Sequence, residues 1–200
     1  MNRQSRLRVA MPFPDLIIFR HGQTEWNRDG IHQGHLDSPL TAMGRQQAEH
    51  IGRSLADIDG IEGFAAYTSP TGRAKTTGCI ACTAVGKTPI EDPRLMEVNF
   101  GDWQGMTTPE IDALTGTPKS ADPFLWNFMA PSGETLDDLT TRVRAFLDEL
   151  TGPAIISTHG ITSRVLRGLW LGLDAVGMRE LEGGQGCLFL LKDSVQTRIG

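Results

Sequence analysis

A chain of 200 residues with 39% hydrophobic content is long enough to bury a full core without disulfide staples or structural metals. Its net charge of -5 argues against general nucleic-acid binding, which needs a basic face, so an anionic ligand would have to be held by a few local cations. Three cysteines do not make a disulfide framework and suit a reducing cytoplasm, where the protein is expected.

The first eleven residues carry Arg3, Arg6 and Arg8 but no apolar h-region and no span near 18 residues, so neither a signal peptide nor a membrane anchor is expected. Residues 1–14 read as an N-terminal extension, with Met11 as an alternative start, and residues 15–200 as a single domain. Leu16 to Phe19 suit a strand buried on both faces, and the apolar run stops at Arg20, His21 and Gly22. In open α/β sheets ligands bind beyond the carboxyl ends of the strands, which is where Arg20 and His21 emerge. The pattern recurs downstream, where Ala154-Ile155-Ile156 leads through Ser157 and Thr158 to His159 and Gly160.

Between these strands, residues 28–40 lack periodicity and read as a loop, and Ala48, Ile51, Leu55 and Ile58 mark one helical stripe. A strand over Phe64 to Thr68 precedes a helix from Thr71 to about Val85, with Arg73 in its first turn. Cys79 and Cys82 form a C-x-x-C inside that helix and read as packing residues. Pro89 to Pro93 is a short extended piece, and Phe100 to Gly105 an aromatic, Gly-rich turn. Residues 107–134 contain four prolines and read as an irregular insertion, in which Phe124, Trp126, Phe128 and Met129 either wall a pocket or cap the core edge. Apolar lining there would favour a substrate with a hydrophobic or planar portion.

Leu136, Leu139, Val143, Phe146, Leu147 and Leu150 define the clearest amphipathic helix. The strand ending at His159, helices over Ile161 to Leu171 and Ala175 to Leu181, and strands over Cys187 to Lys192 and Val195 to Ile199 complete the chain. The alternation predicts an α/β fold, a three-layer α/β/α sandwich. Its central sheet is mixed but mostly parallel, because the last two strands follow each other too closely for a crossover.

Two histidines at strand ends, with Arg20 beside the first and Arg73 at a helix start, describe a phosphoryl pocket. Guanidinium forks match phosphate oxygens and keep their charge, and the amides after Gly160 and around Arg73 add helix N-terminal donors. An imidazole is a competent nucleophile toward phosphorus when its other ring nitrogen is pinned by a hydrogen bond. His32, His35 and His50 are given no part.

These residues also carry a resemblance. Arg20-His21-Gly22, Thr24, Trp26-Asn27, Gln33-Gly34, Asp37, Pro39-Leu40-Thr41 and Gly44 resemble the signature of the histidine phosphatase superfamily, the phosphoglycerate mutase-like family, branch 1. Further matches are Thr68-Ser69, Arg73-Ala74, Glu97, Phe100-Gly101, Gln104-Gly105, Gly133-Glu134 and His159-Gly160, so the resemblance spans residues 16–192.

The resemblance implies that His21 becomes phosphohistidine, that Arg20, Arg73 and His159 complete the phosphate pocket with Asn27, and that Glu97 is the general acid. The other large branch carries an aspartate directly after the second histidine; Gly160 stands there instead, which moves the acid to Glu97. An apolar setting for Glu97, between Leu95-Met96 and the aromatic turn, agrees with that role. Gln33, Gly34 and Trp126 are placed on the substrate side.

The implied activity is hydrolysis of a small phosphomonoester without metal or cofactor; partners other than substrate, nucleic acid and membrane included, are not expected, and a homodimer is allowed. The alternative is a cofactor-dependent phosphoglycerate mutase. Mutases of that family are longer and carry Arg-His-Tyr-Gly where this chain has Val98-Asn99-Phe100-Gly101. A third reading is a non-catalytic binder of phosphorylated ligands.

Overall fold

In a computed structural model, which describes residues 13–200, one six-stranded sheet runs through the centre of the protein. Most of the proposed N-terminal extension, and Met11 with it, lies outside the described residues. Phe13 and Pro14 pack onto the domain: Phe13 is buried under the Arg144 guanidinium, and the Pro14 carbonyl accepts a 2.7 Å hydrogen bond from Trp170 Nε1.

The strands are β1 (Leu16–Arg20), β2 (Ala65–Thr68), β3 (Ile90–Glu91), β4 (Ala154–Thr158), β5 (Leu188–Lys192) and β6 (Val195–Ile199), in the order β3-β2-β4-β1-β5-β6. β3, β2, β4 and β1 are mutually parallel, whereas β5 pairs antiparallel with both β1 and β6. β1 and β4 lie at the centre and read as continuous apolar runs because both their faces are covered.

Alternation along β1 divides the core in two. Leu16 and Ile18 face the cluster built with Leu139, Val143 and Phe146 of α5 (Leu136–Glu149) and Val165, Leu166 and Trp170 of α6 (Gly160–Leu171). Ile17 and Phe19 face the opposite cluster, with Ile51 and Leu55 of α2 (Ala42–Ala56) and Ala81 and Cys82 of α3 (Gly72–Thr83). Cys79, Cys82 and Cys187 are all unpaired. The three layers and the mixed sheet are those the residue pattern predicts.

Two local departures have clear causes. The loop after β1 opens with one helical turn, α1 (Glu25–Arg28), closed by a capping box between Thr24 and Asn27. Residues 107–134 are not wholly irregular: α4 (Thr108–Thr115) starts on a capping box between Thr107 and Glu110, with Pro109 in its first turn, where a missing N–H costs nothing. The short α7 (Ala175–Glu180) follows α6. No helix among the described residues is long and apolar enough to cross a membrane.

Candidate active site

The pairing of β1 with β4 continues one residue past the strands, where the His21 N–H donates to the Thr158 carbonyl at 2.9 Å. That bond sets His21 beside His159, their rings edge to face with centroids 5.2 Å apart. His21 Nδ1 lies 2.8 Å from the Gly22 carbonyl, which can only accept, so Nδ1 carries the proton and the Nε2 lone pair is free. Gly22 is placed in turn by its N–H to Thr77 Oγ1 at 3.0 Å.

His159 is the N-cap of α6 and is fully buried behind His21. Its Nε2 is 2.8 Å from Ser69 Oγ and 3.3 Å from Thr71 Oγ1. Its other ring nitrogen, Nδ1, is buried with no partner among the described residues. Burial holds the pKa of both histidines well below the usual imidazole value, reinforced at each by the charges of Arg20 and Arg73, so both are neutral at pH 7.

Arg20 ends β1, and Arg73 sits in the first turn of α3, just past β2. Arg73 is held from behind by the Leu36 carbonyl at 2.6 Å, the Gly34 carbonyl at 2.7 Å and Asp37 at 2.9 Å. Burial lowers the pKa of both arginines, though guanidinium stays charged at neutrality. Nε of each is buried without a partner among the described residues. Arg20 and Arg73 line one cavity with His21, whereas His159 touches His21 without lining it; a buried polar group without a partner asks for one.

Glu97 is 8% exposed. Its seat is the amino end of α6 rather than the apolar setting that its neighbours in sequence predict: Oε1 accepts from the Thr162 N–H and hydroxyl, each at 3.0 Å, and from the Val98 N–H, while Oε2 accepts only a 3.2 Å bond from the Ile161 N–H. Gly160 keeps the space between Glu97 Oε2 and Arg20 open; a Cβ there would sit 3.6 Å from the guanidinium and 3.7 Å from Oε2.

Arg20, His21, Asn27, Gln33, Gly34, Arg73, Glu97 and Gly160 all line one cavity of about 450 Å³. Asn27 Oδ1 accepts from Thr24 and from Gln185 Nε2, leaving its amide nitrogen to donate. Trp126 does not line the cavity: it is 1% exposed and stacked on Trp103 at 4.7 Å in the core, and its neighbour Asn127 reaches the wall instead. Phe124 is equally buried, and the apolar lining of the cavity comes instead from Ile31, Phe100, Pro123, Ile161 and Phe189. Lys119, Arg164 and Arg167 line it with His32. The two arginines could have been found by spacing, since positions 160, 164 and 167 share a helical face; Lys119, in the insertion, carries no such signal. No group of three or more His, Cys, Asp or Glu among the described residues is placed to hold a metal ion.

The profile of the histidine phosphatase superfamily (branch 1) matches residues 16–194, and the chain belongs to that family. A probable phosphoglycerate mutase GpmB of Erwinia tasmaniensis is 35% identical over 176 residues, which cover 83% of this chain and 79% of that protein. The mycobacterial glucosyl-3-phosphoglycerate phosphatase, solved with VO3, superposes with a TM-score of 0.79 at 29% identity over 88% of this chain and 92% of that one. A putative alpha-ribazole-5'-P phosphatase of Escherichia coli K-12 shares the fold, with a TM-score of 0.75 at 24% identity over 94% and 95% of the two chains.

Proposed function

We propose that the protein is a phosphomonoesterase that hydrolyses a small phosphorylated metabolite through a phosphohistidine at His21. The observation that carries this reading is the free Nε2 of a neutral His21, in one cavity with Arg20 and Arg73, whose buried Nε donors lack partners, and in edge-to-face contact with His159. In the first step Nε2 attacks phosphorus, the ester P–O bond breaks, and Glu97 passes a proton from Oε2 to the departing alkoxide. In the second, water attacks the phosphohistidine, Glu97 takes its proton, and the P–N bond breaks to release phosphate. Arg20 and Arg73 hold the equatorial oxygens throughout, His159 and the Asn27 amide donate to them, and the positive end of α6 faces the charge.

Oε2 is assigned the proton because it is the less encumbered carboxyl oxygen and the one beside Gly160. Gln33 and Gly34 border the substrate from the loop after β1. The reaction needs no metal or cofactor, and a cytoplasmic setting fits three unpaired cysteines.

The relatives named as probable phosphoglycerate mutases favour a second reading, transfer between two oxygens of a phosphoglycerate. The test is a phosphomonoester panel that includes 3-phosphoglycerate, run with EDTA, scoring released phosphate separately from isomerised product. Phosphate release that survives EDTA, together with acid-labile labelling of wild type but not of His21→Ala, supports the phosphatase. Isomerisation without release supports the mutase, and absence of both turnover and labelling supports a phospho-ligand binder.

A further inference from the structure

The cavity is lined by five cationic side chains and a single carboxylate, Glu97. A phosphoryl dianion between Arg20 and Arg73 accounts for two of the five. Arg167 is occupied structurally: its guanidinium donates to Ser163, to the Glu182 carbonyl and to Gln196, and lies 3.8 Å over the Phe189 ring. Lys119 and Arg164 remain. Neither makes an ion pair or a side-chain hydrogen bond among the described residues, although both are drawn partly out of water.

Their placement is built rather than incidental. Arg164 stands one helical turn beyond Gly160 on the face of α6 that looks into the cavity, and a Cβ at Gly183 would lie 3.5 Å from its Nη2, so the missing side chain leaves room beside the guanidinium. The Lys119 ammonium rests 4.7 Å from the centroid of the buried Trp126 ring, which fixes its position. The Asp112 carboxylate accepts the Lys119 backbone N–H at Oδ1, at 3.1 Å. Burial lowers the pKa of both cations; Asp112 opposes this at Lys119, where Arg20 and Arg164 add to it, and Glu97 opposes it at Arg164. Partly desolvated like charges facing one space, neither of them in an ion pair, are stabilised when an anion fills it.

We propose that Lys119 and Arg164 form a second anion subsite on the leaving-group side, so that the substrate is a phosphomonoester bearing another acidic group roughly one helical turn, ~5–6 Å, from the reacting phosphorus. The assignment rests on the phosphoryl group lying among Arg20, His21 and Arg73. The second group is a carboxylate or a second phosphate, since both present oxygens to a guanidinium and an ammonium. An uncharged leaving group leaves the subsite empty.

The test compares kcat/KM for glycerol 1-phosphate, 3-phosphoglycerate and fructose 1,6-bisphosphate, scored as substrate consumed, in wild type, Lys119→Met and Arg164→Met. Wild type should favour at least one acidic substrate over glycerol 1-phosphate by roughly 10- to 100-fold, and each variant should shrink that ratio about tenfold. A wild-type ratio near one, or a ratio unchanged in both variants, overturns the proposal. The carboxylate and phosphate arms show which anion is taken.

Thermal shift on His21→Ala separates this inference from the catalytic one. There 3-phosphoglycerate or fructose 1,6-bisphosphate should stabilise more than glycerol 1-phosphate, and addition of Lys119→Met should remove the difference. That pattern in a protein that hydrolyses nothing would sink the phosphatase reading and leave the subsite standing; equal shifts would sink the subsite.

Discussion

One carboxylate oxygen of Asp37 accepts both the Arg73 guanidinium, at 2.9 Å, and the Arg73 backbone N–H, at 3.3 Å. The side chain of Asp37 is 42% exposed and that of Arg73 1%, so an anion at the rim pins a cation in the floor. Asp37→Ala leaves a buried guanidinium held only by carbonyls. We expect a loss of about 1–3 kcal/mol in stability by chemical denaturation and roughly tenfold in kcat/KM, with orthovanadate inhibition weakened in parallel. Asp37→Asn keeps an acceptor and should lose less; equal losses would show that the charge itself is what matters.

In the proposed reaction Glu97 serves both steps, so its loss should be read differently by different leaving groups. Glu97→Gln should slow hydrolysis of alkyl phosphates by about 10²–10⁴-fold. p-Nitrophenyl phosphate, whose leaving group needs no proton, should still phosphorylate His21 and give a burst followed by a slow steady state. Rapid quench with acid-labile phosphoenzyme counting checks this; a variant showing neither burst nor accumulated phosphoenzyme would remove Glu97 from the second step.

His32 lies 5.3 Å from the Phe100 ring and 5.2 Å from Trp126, with Nε2 on Thr108 Oγ1 at 2.9 Å. Burial, aided by the Lys119 charge, pushes its pKa from 6.5 down to about 4. Between those values the unfolded chain binds a proton that the native state refuses, so its contribution is full above pH 6.5 and is lost as pH falls toward about 4. Buried His21 and His159 act with the same sign. Replacing His32 with Gln should flatten the pH dependence of unfolding free energy in this window by at most ~1.4 kcal/mol per pH unit. Denaturant titrations at half-unit pH steps would show it, and an unchanged slope would contradict a neutral buried His32.

Gly22 is required by packing. A Cβ there would overlap the Gly44 carbonyl at the start of α2, and one at Gly44 would overlap the Gln23 carbonyl. Gly22→Ala should therefore push α2 away from the nucleophile's loop, lowering stability by about 2–3 kcal/mol and the melting temperature by roughly 5–10 °C. An unperturbed melting curve would mean that the loop yields freely.

Much of this site is legible in short windows of sequence. Leu16–Phe19 and Ala154–Ile156 announce buried strands, and Arg20-His21-Gly22 and His159-Gly160 announce where they end, because a strand's burial and its abrupt polar stop are local properties. Arg73 is read from its place at a helix start just past a strand, whereas Asn27, Gln33 and Gly34 come only from the resemblance to the family; all four reach the cavity. α4 escaped because Pro109 reads as a breaker until the capping box at Thr107 shows it to be a first-turn proline. Trp126 was misplaced because an aromatic in an irregular segment looks the same in sequence whether it faces a pocket or stacks on Trp103.

By itself, then, the chain's order of residues determined the sandwich and the emergence of Arg20, His21 and Arg73 just past strand ends, since each depends on periodicity or on contiguous motifs. Only the tertiary structure decided that Glu97 sits on the amino end of α6, that Ser69 touches His159, and that Lys119 and Arg164 line the same cavity. These are contacts between segments far apart along the chain, and their partners are chosen by packing of the whole core, which no local window contains.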